Sequence, residues 1–218
     1  MLVQEIMKTK VITLPPDAQI VRALQLLNEH HIRHIPIVDA NNAVIGIVSD
    51  RDVRDASPSI FNENVDADEL KNPIRTIMSH PVVTIHPLDF VEEIAAIFYE
   101  EEFACLPVVS EDKLVGIVTE KDMLHTLIQL TGTHVQSSQI EIKVPDVIGI
   151  LAKVTAIFGK RKVKITSVLI YPYKDDPKYK ILVFRIQTMN PLPTIQDLRA
   201  ENYEVLWPNV MEHNNEKM

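Results

Sequence analysis

The sequence has few of the residues from which reactive sites are built. It contains one cysteine, Cys105, which excludes an intramolecular disulfide and a metal site with several cysteine ligands. Five glycines among 218 residues leave little room for a glycine-rich phosphate loop, and neither a Walker motif, a nucleophile elbow nor a dinucleotide fingerprint occurs. No apolar run approaches the ~20 residues of a membrane span, and residues 1–10 lack a signal-peptide pattern. We therefore expect a cytoplasmic, non-enzymatic protein that binds neither metal nor membrane.

The charged residues are unevenly distributed along the chain. The net charge is −8, and apolar residues make up 46% of the sequence, as in an ordinary globular protein. Residues 1–129 contain 10 basic and 21 acidic residues, residues 130–138 contain none, and residues 139–218 contain 12 and 9. This change places a domain boundary near residue 135. The acidic first part argues against nucleic-acid binding, because phosphates would be repelled, and the basic run at 160–164 fits a solvated helix end.

The acidic part contains an internal duplication. At an offset of 71 residues, Ile6-Met7 recurs as Ile77-Met78, and the segment around Ile35-Pro36 recurs around Leu106-Pro107. After a slip of one residue in a turn, the offset becomes 70. The two copies then contain Gly46-Ile47-Val48-Ser49-Asp50-Arg51-Asp52 and Gly116-Ile117-Val118-Thr119-Glu120-Lys121-Asp122.

Each copy has the pattern of a β-α-β-β-α unit. An extended segment ending in proline precedes a helix, and two apolar runs, Ile35–Val38 and Val44–Val48, predict a hairpin of strands. The second helix is expected to begin after Ser49, and in the other copy after Thr119, because these side chains are good helix caps. The apolar face of the first helix is predicted to comprise Ile20, Ala23, Leu24 and Leu27, matched in the second copy by Val91, Ile94, Ala95 and Phe98. One copy alone would expose an apolar face, so we expect the two to pack as a pseudo-twofold pair.

The duplicated motif places a hydroxyl and a carboxylate three residues apart at a strand-to-helix turn. An aspartate there can accept two hydrogen bonds from the vicinal diol of a ribose, and a helix N-terminus suits a phosphate. A hydroxyl cap followed by an acid in the first turn is also a common structural device. Two copies at matched positions, each with a Thr-x-x-Pro segment, favour the binding role.

With these motifs, residues 1–130 resemble a tandem pair of cystathionine-β-synthase-type (CBS) domains. The resemblance implies clefts between the repeats that bind adenosine derivatives such as AMP, ADP or ATP as regulatory ligands, and it implies no catalytic cofactor. Asp52 and Asp122 would hold the ribose, with Ser49 and Thr119 near ribose or phosphate. The remaining implied nucleotide-binding residues are Val11, Thr13, Arg33, His34, Ile35, Arg51, Val82, Thr84, Leu106 and Lys121.

The two predicted clefts differ in one pair of residues. Arg33-His34 precedes the first strand of repeat one, whereas Ala104-Cys105 stands at the matched position of repeat two. Only the first pair offers cationic groups for phosphate, so we expect at least one competent site and unequal binding. The histidines around His31 lack the carboxylate or cysteine that a zinc site would need, and Cys105 is expected to be a buried thiol.

The C-terminal part has the order β-α-β-β-α-β of a ferredoxin-like sandwich. Ile140, Ile142 and Val144 alternate with polar residues in a predicted strand. The following helix is predicted to start at Pro145-Asp146 and to end at Gly159. Its apolar face is predicted to comprise Ile148, Leu151, Ala152, Thr155 and Phe158.

This part resembles an ACT domain, a regulatory module that commonly binds amino acids at a dimer interface. The turn Asp146-Val147-Ile148-Gly149-Ile150-Leu151 matches the family's Asp-x-x-Gly-x-Leu pattern. The resemblance implies that Asp146, Ile148, Gly149, Ile150 and Leu151 would contact an amino acid or another small metabolite. A purely dimerising role is equally compatible with the pattern, since exposed sheet edges favour association.

The combination of a CBS pair and an ACT domain resembles the AcuB-type acetoin-utilisation proteins. The resemblance implies a homodimeric sensor that regulates acetoin or butanediol catabolism in spore-forming bacteria, with a target enzyme of acetoin or acetyl-CoA metabolism. The alternative is a structural scaffold with vestigial clefts. The expected domains are CBS 1 at 1–60, a linker at 61–76, CBS 2 at 77–132, a linker at 133–138, the ACT domain at 139–210 and a tail at 211–218.

Overall fold

A computed structural model of the chain describes residues 1–56 and 69–209. The chain divides into two compact units, Met1–Leu124 and the part from His125 onward. The helices are α1 (Ile20–Glu29), α2 (Asp50–Asp55), α3 (Val91–Glu100), α4 (Glu120–Thr131), α5 (Ile150–Lys160) and α6 (Leu192–Ala200). The strands are β1 (His34–Val38), β2 (Val44–Ser49), β3 (Cys105–Ser110), β4 (Lys113–Thr119), β5 (Ser138–Pro145), β6 (Ile165–Pro172), β7 (Tyr179–Ile186) and β8 (Glu204–Trp207).

The N-terminal unit confirms the duplication predicted from the sequence. In each repeat a helix precedes an antiparallel hairpin, β1–β2 or β3–β4, and a second helix begins directly after it. The extended segment before each first helix pairs at one position only, Leu14 with Ile37 and Ile85 with Val108. Prolines follow both segments closely; they lack the N–H group that a longer ladder would require.

The first helices bury one apolar stripe each. Helix α1 buries Ile20, Ala23, Leu26 and Leu27, a spacing that keeps one helical face on the hairpin. Helix α3 buries Val91, Ile94 and Phe98. The expectation for Ala95 was wrong, because its side chain is exposed and lies outside this stripe.

The two repeats exchange their N-terminal segments. Lys8 forms a pair of backbone hydrogen bonds of 2.9 and 3.0 Å with Ile117 in β4, and Ser79 forms the matching pair of 2.9 and 3.1 Å with Ile47 in β2. Each hairpin is therefore extended by a residue of the other repeat, as expected of a pseudo-twofold pair.

The glycines of the repeated motif make this exchange possible. A Cβ atom on Gly46 would lie 2.3 Å from Sδ of Met78, and one on Gly116 would lie 2.7 Å from Sδ of Met7. Each hairpin thus receives a methionine from the opposite repeat at a position where only glycine leaves space.

The C-terminal unit has the predicted β-α-β-β-α-β order. Its sheet is antiparallel with the strand order β6-β7-β5-β8, which is the ferredoxin-like arrangement. Ile140, Ile142 and Val144 are fully buried, so the alternation in β5 is confirmed. Phe158 of α5 packs on Phe184 of β7 with their ring centroids 4.6 Å apart.

The structure corrects the buried face predicted for helix α5. The helix begins at Ile150 after Gly149, whose φ is +82°, and continues through Gly159 to Lys160. Val154, Ile157 and Phe158 are buried. Of the face predicted from the sequence, Ile148, Leu151 and Ala152 are exposed. The helix has apolar residues on both the predicted face and the face that is buried, so the spacing of apolar residues alone predicted the wrong face.

Candidate functional site

Each repeat presents its hydroxyl and carboxylate at the turn between a hairpin and a helix. Ser49 caps α2: its backbone N–H and its hydroxyl both donate to Oδ2 of Asp52 at 2.7 Å, and its Oγ accepts from the Asp52 N–H at 3.2 Å. Thr119 and Asp122 repeat the first two of these bonds, at 3.0 and 2.5 Å. The capping role that the sequence left as an alternative is therefore complete in repeat one, and repeat two has the same two bonds to its carboxylate. These bonds use only Oδ2 of each aspartate, and Oδ1 takes no part in them.

The first cleft, which we call the Asp52 cleft, lies between the repeats and has a volume of about 570 Å³. Its polar groups include Ser49, Asp52 and Ser79. Much of the remaining wall is apolar: Ile47, Pro81, Val82, Val83, Phe103, Ala104, Cys105 and Leu106. Both hydrogen bonds to the Asp52 carboxylate go to Oδ2, and no residue that the structure describes donates to its Oδ1. A carboxylate oxygen in a concave, partly apolar cleft can accept hydrogen bonds from ligand hydroxyls.

The second cleft, which we call the Thr119 cleft, also lies between the repeats, with a volume of about 420 Å³. The residues that line it include Lys8, Lys10, Arg33, Lys121 and Glu120. Asp122, the matched counterpart of Asp52, is not among the residues that line it. Nζ of Lys8 lies 2.7 Å from Oδ1 and 3.1 Å from Oδ2 of Asp122. In this cleft, therefore, a lysine of repeat one covers the carboxylate of repeat two.

The electrostatics of Asp122 agree with this contact. Partial burial would raise the pKa of Asp122, but the hydrogen bonds from Lys8 and Thr119 outweigh that effect and hold its pKa below the ordinary value. The carboxylate is therefore ionised at neutral pH and fully engaged within the protein.

The clefts bring together most of the sequence-predicted residues. The Asp52 cleft is lined by Arg33, His34, Ser49, Arg51, Asp52, Val82 and Leu106, and the Thr119 cleft is lined by Val11, Arg33, His34, Thr119 and Lys121. Thr13, Thr84, Ile35 and Asp122 line neither cleft, and Ile35 is fully buried in the core of repeat one. Arg33 and His34, expected to serve one cleft, line both.

Several lining residues were missed from the sequence. Lys8, Lys10 and Ser79 lie in segments that precede the predicted extended elements, where no motif pointed to them. The available signal was the repeat itself, since Lys8 and Ser79 occupy matched positions next to Met7 and Met78.

Burial controls the protonation of two residues in the clefts. Desolvation lowers the pKa of His34, so Arg33 is the cation of that pair at neutral pH. Desolvation also raises the pKa of Cys105 to about 12. Cys105 is thus a buried, protonated thiol, as expected from the sequence, and not an activated nucleophile.

In the C-terminal unit, the predicted ligand loop lies between β5 and α5. The carboxylate of Asp146 pairs with Nζ of Lys180 at 2.8 Å. Gly149 has open space around its Cα, and Ile148 and Leu151 are exposed while Ile150 packs partly against the core. The loop is accessible, and its acid is balanced by a lysine of the neighbouring strand.

Comparison with known protein families agrees with this architecture. The CBS domain model matches residues 3–59 and 74–129, which together make up about half of the chain. The chain belongs to the CBS-domain family. The ACT domain model matches residues 138–202, so the CBS pair is followed by an ACT domain. No helix among residues 1–56 and 69–209 is long and apolar enough to cross a membrane.

Among the solved structures that resemble the CBS pair, three are informative. A Vibrio cholerae protein named for acetoin utilization (AcuB) is 31% identical, with a TM-score of 0.54, covering 62% of this chain and 95% of that one. The CBS pair of MJ0100, solved with 5′-methylthioadenosine and S-adenosyl-L-methionine, is 30% identical with a TM-score of 0.50, covering 58% and 95%. CBSX2 of Arabidopsis thaliana, solved with AMP, is 26% identical with a TM-score of 0.51, covering 59% and 96%.

Some curated relatives are much longer than the matched region. The chain spans 22% of an L-aspartate semialdehyde sulfurtransferase of Methanocaldococcus jannaschii, at 31% identity. The similarity to that enzyme is therefore confined to a small part of it.

Proposed function

We propose that the CBS pair is a regulatory module that binds an adenine nucleotide or a related adenosyl ligand, with the ribose on Asp52. The single observation that carries this proposal is the Asp52 carboxylate, which faces a cleft with one oxygen that no described residue engages. Because Oδ2 already accepts two hydrogen bonds from Ser49, two hydroxyls of a ribose would both donate to Oδ1, which has two lone-pair positions.

The rest of the Asp52 cleft suits the other parts of such a ligand. Val82, Phe103 and Leu106 provide an apolar wall against which a purine ring can be buried. Arg33 and Arg51 line the same cleft and can pair with phosphate oxygens. The MJ0100 and CBSX2 structures were solved with 5′-methylthioadenosine, S-adenosyl-L-methionine and AMP, which supports the adenosyl class without selecting AMP, ADP or ATP.

We extend the proposal to the whole chain. Nucleotide binding would favour one arrangement of a homodimer, and the ACT domain, with or without an amino acid or small metabolite at residues 146–151, would pass this preference to a target enzyme. A ligand can shift such an equilibrium only by its different affinities for the two states. The likeness to the protein named for acetoin utilization supports a place in acetoin or butanediol catabolism, and we propose that the chain acts in the cytoplasm. Under the scaffold alternative, the binding of a partner protein does not depend on nucleotide.

Calorimetric titration with adenosine and AMP tests the ribose site. Asp52→Asn keeps the size of the side chain but removes its charge, and because hydrogen bonds to charged groups contribute about 1.5–3 kcal/mol, we expect the Kd to rise about ten- to a hundred-fold. Asp122→Asn is the matched control, since that carboxylate is already held by Lys8, and it should leave the adenosine affinity near that of the wild type. Equal affinities of wild type and Asp52→Asn would refute the proposal.

A further inference from the structure

The matched positions Lys8 and Ser79 make the two clefts chemically different. Both residues are anchored identically, each by two backbone hydrogen bonds to the second strand of the opposite repeat. From this shared position, the Lys8 side chain reaches the Asp122 carboxylate at 2.7 Å. The serine at the other position is short, and the Asp52 carboxylate takes its hydrogen bonds from Ser49 alone among the described residues.

The Lys8–Asp122 ion pair occupies the atoms that a ribose would need. Lys8 contacts both oxygens of Asp122, and Thr119 donates to Oδ2 from its N–H and its hydroxyl. The Asp122 side chain is only 15% exposed, so a ligand diol could reach it only after displacing the ammonium group. The Lys8 side chain is 56% exposed and would return to water, so the cost of that displacement falls on the shielded carboxylate, which would lose its ammonium partner.

The two clefts also differ in the charged residues that line them. The Thr119 cleft is lined by Lys8, Lys10, Arg33 and Lys121 and by one acid, Glu120. The Asp52 cleft is lined by Arg33 and Arg51 but by four acids, Asp50, Asp52, Glu102 and Glu120. Because Lys8 is already paired with Asp122, the excess of positive charge in the Thr119 cleft rests on Lys10, Arg33 and Lys121 against Glu120, and this excess still favours an anion.

From these observations we infer that the Thr119 cleft is a phosphate-binding site and not a second ribose site, with Lys8 as the residue that excludes the ribose. The inference rests on the proposed function of the Asp52 cleft. Because Arg33, His34, Ala104 and Glu120 line both clefts, the phosphates can be the chain of a nucleotide whose ribose is on Asp52. They can equally belong to a separate polyphosphate anion.

Substitutions at the matched positions Lys8 and Ser79 test whether Lys8 keeps a ribose away from Asp122. Adenosine, which carries no phosphate, is titrated calorimetrically into the wild-type chain, Lys8→Ser and Ser79→Lys. We expect one adenosine site per chain in the wild type, two in Lys8→Ser, and an affinity at least tenfold lower in Ser79→Lys, where the new lysine can cover Asp52. Circular dichroism verifies that each variant is folded, and Lys8→Met tests the loss of charge with retained side-chain length if Lys8→Ser does not fold.

The outcomes separate the two proposals. Two adenosine sites in the wild type would overturn the exclusion by Lys8 while the proposed function stands. No adenosine site in the wild type would refute the proposed function and the inference with it. An unchanged count of one site in a folded Lys8→Ser would also overturn the inference, because the uncovered Asp122 should then accept a ribose.

Inorganic tripolyphosphate tests the phosphate site itself. It should bind the wild type, and Lys10→Ala should weaken this binding several-fold, whereas no detectable binding would overturn the assignment. A competition experiment then distinguishes whether the phosphates belong to the nucleotide or to a separate anion. If the nucleotide's own chain fills the Thr119 cleft, ATP displaces tripolyphosphate and adenosine does not; if the anion is separate, tripolyphosphate and ATP bind together. Either result supports a phosphate site.

Discussion

Replacement of Gly46 by alanine tests the packing between the repeats most directly. The new Cβ would lie 2.3 Å from Sδ, 2.9 Å from Cγ and 3.2 Å from Cβ of Met78. The sulfur and Cγ can move by rotation of the side chain, but the Cβ of Met78 is fixed by a backbone that is paired next to it through Ser79 and Ile47. Overpacking of this kind costs about 1–3 kcal/mol, so Gly46→Ala should lower the free energy of unfolding of the N-terminal unit by that amount.

A double-mutant cycle separates this clash from other effects of alanine. In a Met78→Ala background Sδ and Cγ are removed while the Cβ at 3.2 Å stays, so Gly46→Ala should then cost clearly less than in the wild type, helped by the smaller backbone entropy that alanine loses on folding. Urea denaturation followed by circular dichroism is the suitable assay. Trp207, the single tryptophan, lies in β8 of the other unit, so its fluorescence would not follow the affected one.

Gly159 provides the matched control. It lies inside α5, and a Cβ there would have no neighbour within 4 Å, so Gly159→Ala should stabilise by about 0.5–1 kcal/mol through helix propensity. If Gly46→Ala cost the same in the presence and absence of the Met78 side chain, the proposed packing of that methionine on the glycine would be refuted.

Cys105 and Asp122 both have pKa values that differ from the ordinary ones, and each difference has a measurable consequence. With a pKa of about 12, only about one Cys105 thiol in ten thousand is ionised at pH 8, so iodoacetamide should modify the native chain very slowly and the urea-unfolded chain at the ordinary rate; equal rates would contradict this burial. The lowered pKa of Asp122 stabilises the folded state at neutral pH, and this contribution is lost as the pH falls below the ordinary value of 3.8. Asp122→Asn should therefore be less stable than the wild type at pH 7, as measured by urea midpoints, and the difference should shrink toward pH 3; a constant difference would exclude the ion pair as its cause.

The sequence predicted the fold well because the fold depends on patterns that are repeated. The duplicated motif located both hairpins and both capping residues, and Ser49 caps its helix as expected. The prediction failed where a pattern was ambiguous. In α5, Leu151 and Val154 are both apolar and lie on different stripes, and only the position of the sheet decided that Val154 is buried.

The site was predicted less completely, for a different physical reason. The motif correctly pointed to Asp52 and Asp122 as matched carboxylates, but each cleft also takes residues from the opposite repeat. Which side chain meets which carboxylate depends on the exchange of the N-terminal segments, and that exchange is a long-range pairing with no local signature. Lys8 and Asp122, which are 114 positions apart, could not be matched by spacing.

The duplication therefore fixes the backbone of two equivalent clefts but leaves their chemistry open to single substitutions. A lysine or a serine at the residue after the exchanged methionine makes no difference to the backbone pairing, since both Lys8 and Ser79 form the same two hydrogen bonds. It makes a large difference to the carboxylate of the opposite repeat, because a lysine can reach that carboxylate and neutralise it. In this chain the carboxylate motif is thus intact in both repeats, but Asp52 lines a cleft and Asp122 lines neither of the two clefts. The number of Asp-containing motifs alone therefore does not give the number of clefts that present a carboxylate.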